Sequence, residues 1–119
     1  MIILSLYSTE YENAISPTCP IGSGQEYVAC ATVEDESLQP QENVEILMSV
    51  KINGSYIFKN TEALTDENGQ VAIQFDVSPD TKGILELNIT TKDEEGLTWK
   101  AKEKWNIDIS ADYRDCFGN

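Results

Sequence analysis

Apolar and polar residues alternate along most of this chain with a period of two. Val44, Ile46, Met48, Val50 and Ile52 occupy every second position, with Leu47 the one exception in that run. Val71, Ile73, Phe75 and Val77 alternate with Ala72, Gln74 and Asp76, and Leu85, Leu87 and Ile89 alternate with Glu86, Asn88 and Thr90. Leu97, Trp99, Ala101, Trp105, Ile107 and Ile109 share one parity near the C-terminus. A period of two belongs to strands with one buried and one wet face, because successive side chains point to opposite sides of a sheet. No window shows the 3.6-residue repeat of a helix.

Turn chemistry fills the gaps. Asn53-Gly54 is the strongest two-residue hairpin signal, since both central residues of a type I′ turn need positive φ. Asp66-Glu67-Asn68-Gly69 combines an Asx turn opener with a glycine for the left-handed position. Pro79 to Gly83, Asp93 to Gly96 and Asp35 to Pro40 mark the other breaks. Strands are therefore expected near 2–7, 25–34, 43–52, 55–59, 61–65, 70–77, 83–91 and 97–109, with 8–24 an irregular connection and 110–119 a tail. Seven or eight short strands with this punctuation predict an all-β sandwich or barrel in one domain of 119 residues.

Charge changes the picture in one respect. The chain carries 21 Asp and Glu against 8 Lys and Arg, a net charge of −13, and it has no histidine. Such a balance lacks the basic face that phosphate neutralisation needs, so no nucleic-acid partner is expected. Without histidine there is no Ser-His-Asp triad, no Cys-His dyad and no imidazole metal ligand. No stretch approaches the ~20 apolar residues of a membrane helix. The acids are unevenly spread: residues 1–50 hold eight of them and no base.

The run from Ala31 through Val50, together with Ala63-Leu64-Thr65-Asp66-Glu67-Asn68-Gly69-Gln70-Val71, resembles the bacterial immunoglobulin-like domains of invasin/intimin-type surface proteins. It also resembles the macroglobulin-like domains of the α2-macroglobulin and complement superfamily. Over about residues 25–109 the resemblance implies an immunoglobulin-like antiparallel β-sandwich. It implies a non-catalytic module, extracellular or at the cell surface, that spaces or presents neighbouring domains or serves adhesion. Partners would be adjoining domains of the same polypeptide or another protein. Loops 35–42, 66–69 and 92–97 are the candidate binding surfaces. The alternatives are a macroglobulin-like domain of a protease-trapping or complement-like protein, and a small carbohydrate- or calcium-binding module; no enzyme activity or cofactor is implied, and a small-molecule ligand is not expected.

In that fold the loop after the first strand and the end of the last strand lie at the same end. Of the three cysteines, Cys19 falls in that loop and Cys116 just past that strand end, so a Cys19–Cys116 disulfide is expected. Cys30 then remains as a small apolar residue of its strand. Calcium needs six to eight converging oxygens. Asp66, Asn68 and Asp93 are weak candidates for a loop-end calcium site, against the reading of solvated turns. Lys100, Lys102 and Lys104 form a polar stripe opposite in parity to Trp99 and Trp105. They are candidates for an interaction surface, or for lysines that guard an edge strand and face Glu86. Both tryptophans are expected in the core, and Glu103, which falls on the apolar parity, is expected at a bulge or a sheet end. Asn53-Gly54-Ser55 and Asn88-Ile89-Thr90 are glycosylation sequons.

Overall fold

A computed structural model of the chain describes residues 1–10, 12–92 and 98–117. It is a two-sheet β-sandwich of eight strands: β1 (Ile2–Ser8), β2 (Ile21–Gly22), β3 (Gln25–Val33), β4 (Glu45–Ile52), β5 (Ser55–Leu64), β6 (Gln70–Val77), β7 (Gly83–Lys92) and β8 (Thr98–Asp108). One sheet has the order β1-β3-β6 and the other β2-β8-β7-β4-β5. Neighbours pair antiparallel, except that β2 runs parallel to β8. The first strand thus belongs to one sheet and its continuation crosses to the other, the arrangement of an immunoglobulin-like sandwich.

Alternation builds the core. Tyr27, Ala29 and Ala31 of β3 and Phe75 and Val77 of β6 face Ile46, Met48 and Val50 of β4, Leu85, Leu87 and Ile89 of β7, and Trp105 and Ile107 of β8. Ile15, Cys19 and Ile21 close one side of this layer. Two buried rings anchor the crossing segment by their polar ends. The Trp105 Nε1–H donates to the Ile15 carbonyl at 2.9 Å, and the Tyr27 hydroxyl donates to the Gly22 carbonyl at 2.7 Å. Both bonds satisfy the one polar group of an otherwise apolar payload.

The structure corrects several expectations. Residues 8–24 are not wholly irregular: they contain β2, too short at two residues to leave a periodic trace. The expected strands at 55–59 and 61–65 are one strand, β5, whose pairing with β4 shifts register between Met48 and Val50 and again between Val50 and Lys51. Asn60 sits there with φ 47, and Ser49 Oγ accepts its N–H at 2.9 Å, so the irregularity reads as a break in sequence alone. The tail contains a 3-10 helix, Tyr113–Phe117. Glu103 causes no bulge, because β7 and β8 pair without a register shift from Lys92–Thr98 to Gly83–Ile107. Trp99 is not in the core but 53% exposed, while Trp105 is 1% exposed. The inner face of β8 therefore loses its cover towards Thr98. Asn53 and Gly54 do take the positive φ values, 52 and 82, that a tight hairpin requires.

The two ends of the sandwich differ. The starts of β1, β4, β6 and β8 gather at one end, with the loops after β3 and β5. The opposite end holds the β1–β2 connection, the 3-10 helix and a Cys19–Cys116 disulfide, whose partners are 97 residues apart in sequence and 6.1 Å apart at Cα. Cys30 is a free, buried thiol. Burial pushes its pKa up, a bond to Thr32 opposes the shift, and the Asp66 charge adds to it. A neutral, covered thiol is a poor nucleophile.

Candidate functional site

The loop end is built by backbone bonds and two aspartates. Asp35 Oδ1 accepts the N–H groups of Ser37 and Gln39 at 2.8 and 3.0 Å, and Asp66 Oδ1 accepts those of Asn68 and Gln70 at the same two distances. Each aspartate opens its loop by bonding two and four residues ahead, the local competition that makes Asx residues turn formers. The two loops then lock together. Val33 N–H donates to the Gly69 carbonyl at 2.8 Å, and Gln41 N–H donates to the Val33 carbonyl at 3.0 Å. Thr65, 2% exposed, clamps the base: its hydroxyl donates to the Gln41 carbonyl and accepts the Val44 N–H.

Gly69 is the position on which this convergence depends. Its φ is 72, and a Cβ there would come within 2.6 Å of the Val33 carbonyl oxygen. Gly69→Ala is expected to destabilise the domain by about 2–3 kcal/mol, from left-handed strain plus displacement of the neighbouring loop. Urea unfolding measures the loss. A change below about 0.5 kcal/mol would show that the loops do not hold each other.

Between them the sheets leave a cleft of about 730 Å³ at this end. Ile2, Val33 and Val44 supply apolar wall, Trp99 and Thr91 stand on the far side, and Glu34, Asp35, Glu36, Glu42 and Glu45 form an acidic rim. Of the three loops marked from sequence, 35–42 lines the cleft, and 66–69 stands behind it, bonded to Val33 through the Gly69 carbonyl. The third, 92–97, is flanked by Thr91 and Trp99 in the cleft wall, but 93–97 fall outside the described residues. Trp99 as a cleft residue is what sequence reasoning missed, because its parity matches that of buried Trp105.

Two of the three weak calcium candidates, Asp66 and Asn68, lie among the described residues. Asp66 spends Oδ1 on two amides, Asn68 donates one of them, and Asp93 lies outside the described residues. Among the described residues no three acidic, cysteine or histidine side chains gather as a metal site.

The lysine stripe lies elsewhere, on the outer face of the five-stranded sheet. Register places Lys104 opposite Glu86, and Glu86 opposite Lys51 on its other side. Glu86 receives three ammonium groups: Lys51 at 3.7 Å, Lys102 at 3.8 Å and Lys104 at 3.7 Å. Asn88 Nδ2 donates to its Oε2 at 2.9 Å. That bond above all, and then the lysines, hold its carboxyl below the usual carboxylate range. A carboxylate depressed on folding adds stability above its unfolded pKa, and loses it as pH falls through the folded value. The stability difference between the native chain and Glu86→Gln is therefore expected to be largest near pH 7 and to shrink below about pH 4.5. Paired urea melts at pH 7 and pH 3 check this, and a difference independent of pH would contradict it. At the other end Arg114 binds Asp112 at 2.6 Å, and bonds from Arg114 hold Asp112 at about 2.

Both sequon asparagines have their amides engaged. Asn53 Nδ2 donates to the Lys82 carbonyl at 2.8 Å, and Asn88 Nδ2 to Glu86. Among the described residues no helix is long and apolar enough to cross a membrane.

Comparison with known proteins follows the architecture. No family model and no curated protein matches the chain. Among solved structures, the soluble domain of PmoD from a Methylocystis species superposes with a TM-score of 0.59 at 9% identity, over 91% of each chain. A CARDB domain from Pyrococcus furiosus, in complex with di-metal ions, gives a TM-score of 0.47 at 15% identity, over 90% of this chain and 92% of that one. The first likeness shows the sandwich fold alone.

Proposed function

We propose that this chain is a non-catalytic module of a cell-surface or secreted protein, which spaces or presents neighbouring domains and engages a protein partner through its loop end. The observation that carries the reading is the division of the sandwich into two unlike ends, one closed by the Cys19–Cys116 disulfide and one built of interlocked loops around a cleft. Structural disulfides persist in oxidising compartments, which supports export. Loops held by a rigid scaffold are the usual site of recognition. β1 begins at the cleft end and β8 finishes at the disulfide end, so neighbours joined through these strands would be held on opposite ends.

The test is to treat intact source cells with a membrane-impermeant amine label and recover the protein without reductant. A labelled protein with one free thiol is the expected result. Unlabelled protein with three free thiols would overturn the reading.

A further inference from the structure

We infer that the outer edge of β8 is a strand-addition site for an extended acidic polypeptide segment. β8 pairs with β7 throughout, but on its other side β2 covers only Ile107 and Asp108. From Lys100 to Lys104, among the described residues, no strand pairs with β8 on that side. The Lys104 N–H turns instead to Glu103 Oε1 at 3.4 Å. A side-chain carboxylate there stands in for the acceptor that an added strand would supply. Unpaired edge groups are a template for such pairing.

The side chains state the chemistry of the occupant. Lys100, Lys102 and Lys104 recur at every second residue of this edge, a repeat of about 6.6–6.8 Å. Alternate residues of any added strand have the same repeat and lie roughly 4.5–5.5 Å from their opposite numbers. Acids at alternate positions would each meet a lysine. On this face three ammonium groups, those of Lys51, Lys102 and Lys104, share the single carboxylate of Glu86. Lys102 and Lys104 are still 59% and 57% exposed at the side chain, and Lys100 joins no ion pair among the described residues. The same stripe rejects the commonest wrong occupant, because the β8 of a second copy would bring lysines against lysines, while the rest of a −13 chain repels another. An anionic polymer without a peptide backbone would satisfy the lysines but not the edge.

The experiment is an amide-resolved NMR titration of the oxidised full chain with a nine-residue peptide that alternates glutamate with valine or threonine. Expected are shifts concentrated in 100–104, with binding weakened at least tenfold when the alternate peptide amides facing β8 are N-methylated. Replacing the glutamates by lysines should abolish binding. Lys100→Glu/Lys102→Glu/Lys104→Glu should weaken it tenfold or more. Because two of those lysines also hold Glu86, Lys100→Glu alone is the second variant, with a several-fold loss expected on an intact fold. Equal affinity for the N-methylated peptide, or displacement by a sulfated polysaccharide with no backbone shifts along β8, would overturn strand addition in favour of a simple cation patch. No shifts at millimolar peptide would also overturn it. Neither result bears on the loop end, since these three lysines line no part of the cleft.

Discussion

Reduction of the Cys19–Cys116 bond is expected to lower the unfolding free energy by about 4–5 kcal/mol. The bond closes a loop of 97 residues, and in the chain-entropy model a loop of that size constrains the unfolded chain by about 4.7 kcal/mol. A domain of 119 residues holds a total stability on the order of 6–18 kcal/mol, so the bond accounts for a large fraction of it. Cys19 is 2% exposed while Cys116 is on the surface, so reductant has access from one side without prior unfolding. Urea melts followed by tryptophan fluorescence, with and without a phosphine reductant, measure the difference. The paired Cys19→Ser/Cys116→Ser variant should match the reduced protein, and a loss below about 1 kcal/mol would show that the unfolded chain is already constrained.

Trp105→Ala is expected to cost about 3–5 kcal/mol, the range for truncating a large buried aromatic. The side chain is enclosed between the sheets, and its Nε1–H holds the Ile15 carbonyl at 2.9 Å. The variant therefore leaves a cavity and loosens the segment that carries the chain from one sheet to the other. Trp105→Phe separates the two effects. It keeps most of the packing and loses the bond, and a buried carbonyl left without its donor costs about 1–3 kcal/mol. Hydrogen exchange at Ile15 and Ile21 should rise in both variants. Unchanged exchange there would mean that the crossing segment is held by other contacts.

Much of this architecture was legible in residue order. Two-residue periodicity marked the strands and the buried face of each, because only one parity of a sandwich strand can reach the core. Asn53-Gly54 and Asp66 to Gly69 marked turns through backbone demands that few other residues meet. The illegible features were those decided by contact between distant segments. β2 has two residues, and its position follows from the parallel edge of β8 rather than from its own pattern. Trp99 and Trp105 share a parity, and only the extent of the opposing sheet decides which is covered. The break in β5 is set by Ser49 bonding the Asn60 amide across strands. At the candidate site, the acids were visible as turns, but the cleft depends on Gly69 and Thr65 drawing two loops together.

The position of the disulfide also governs how the domain would respond to tension. Force applied through β1 and drawn off beyond Cys116 would travel from Cys19 across the sulfur bridge and bypass the 97-residue separation between them. At about 3.3–3.6 Å per extended residue, a little over 300 Å of chain would be held out of reach of stretching. Only the first strand and its connection could be peeled away. Oxidised, the domain is a tether of nearly fixed length; reduced, it becomes a spring.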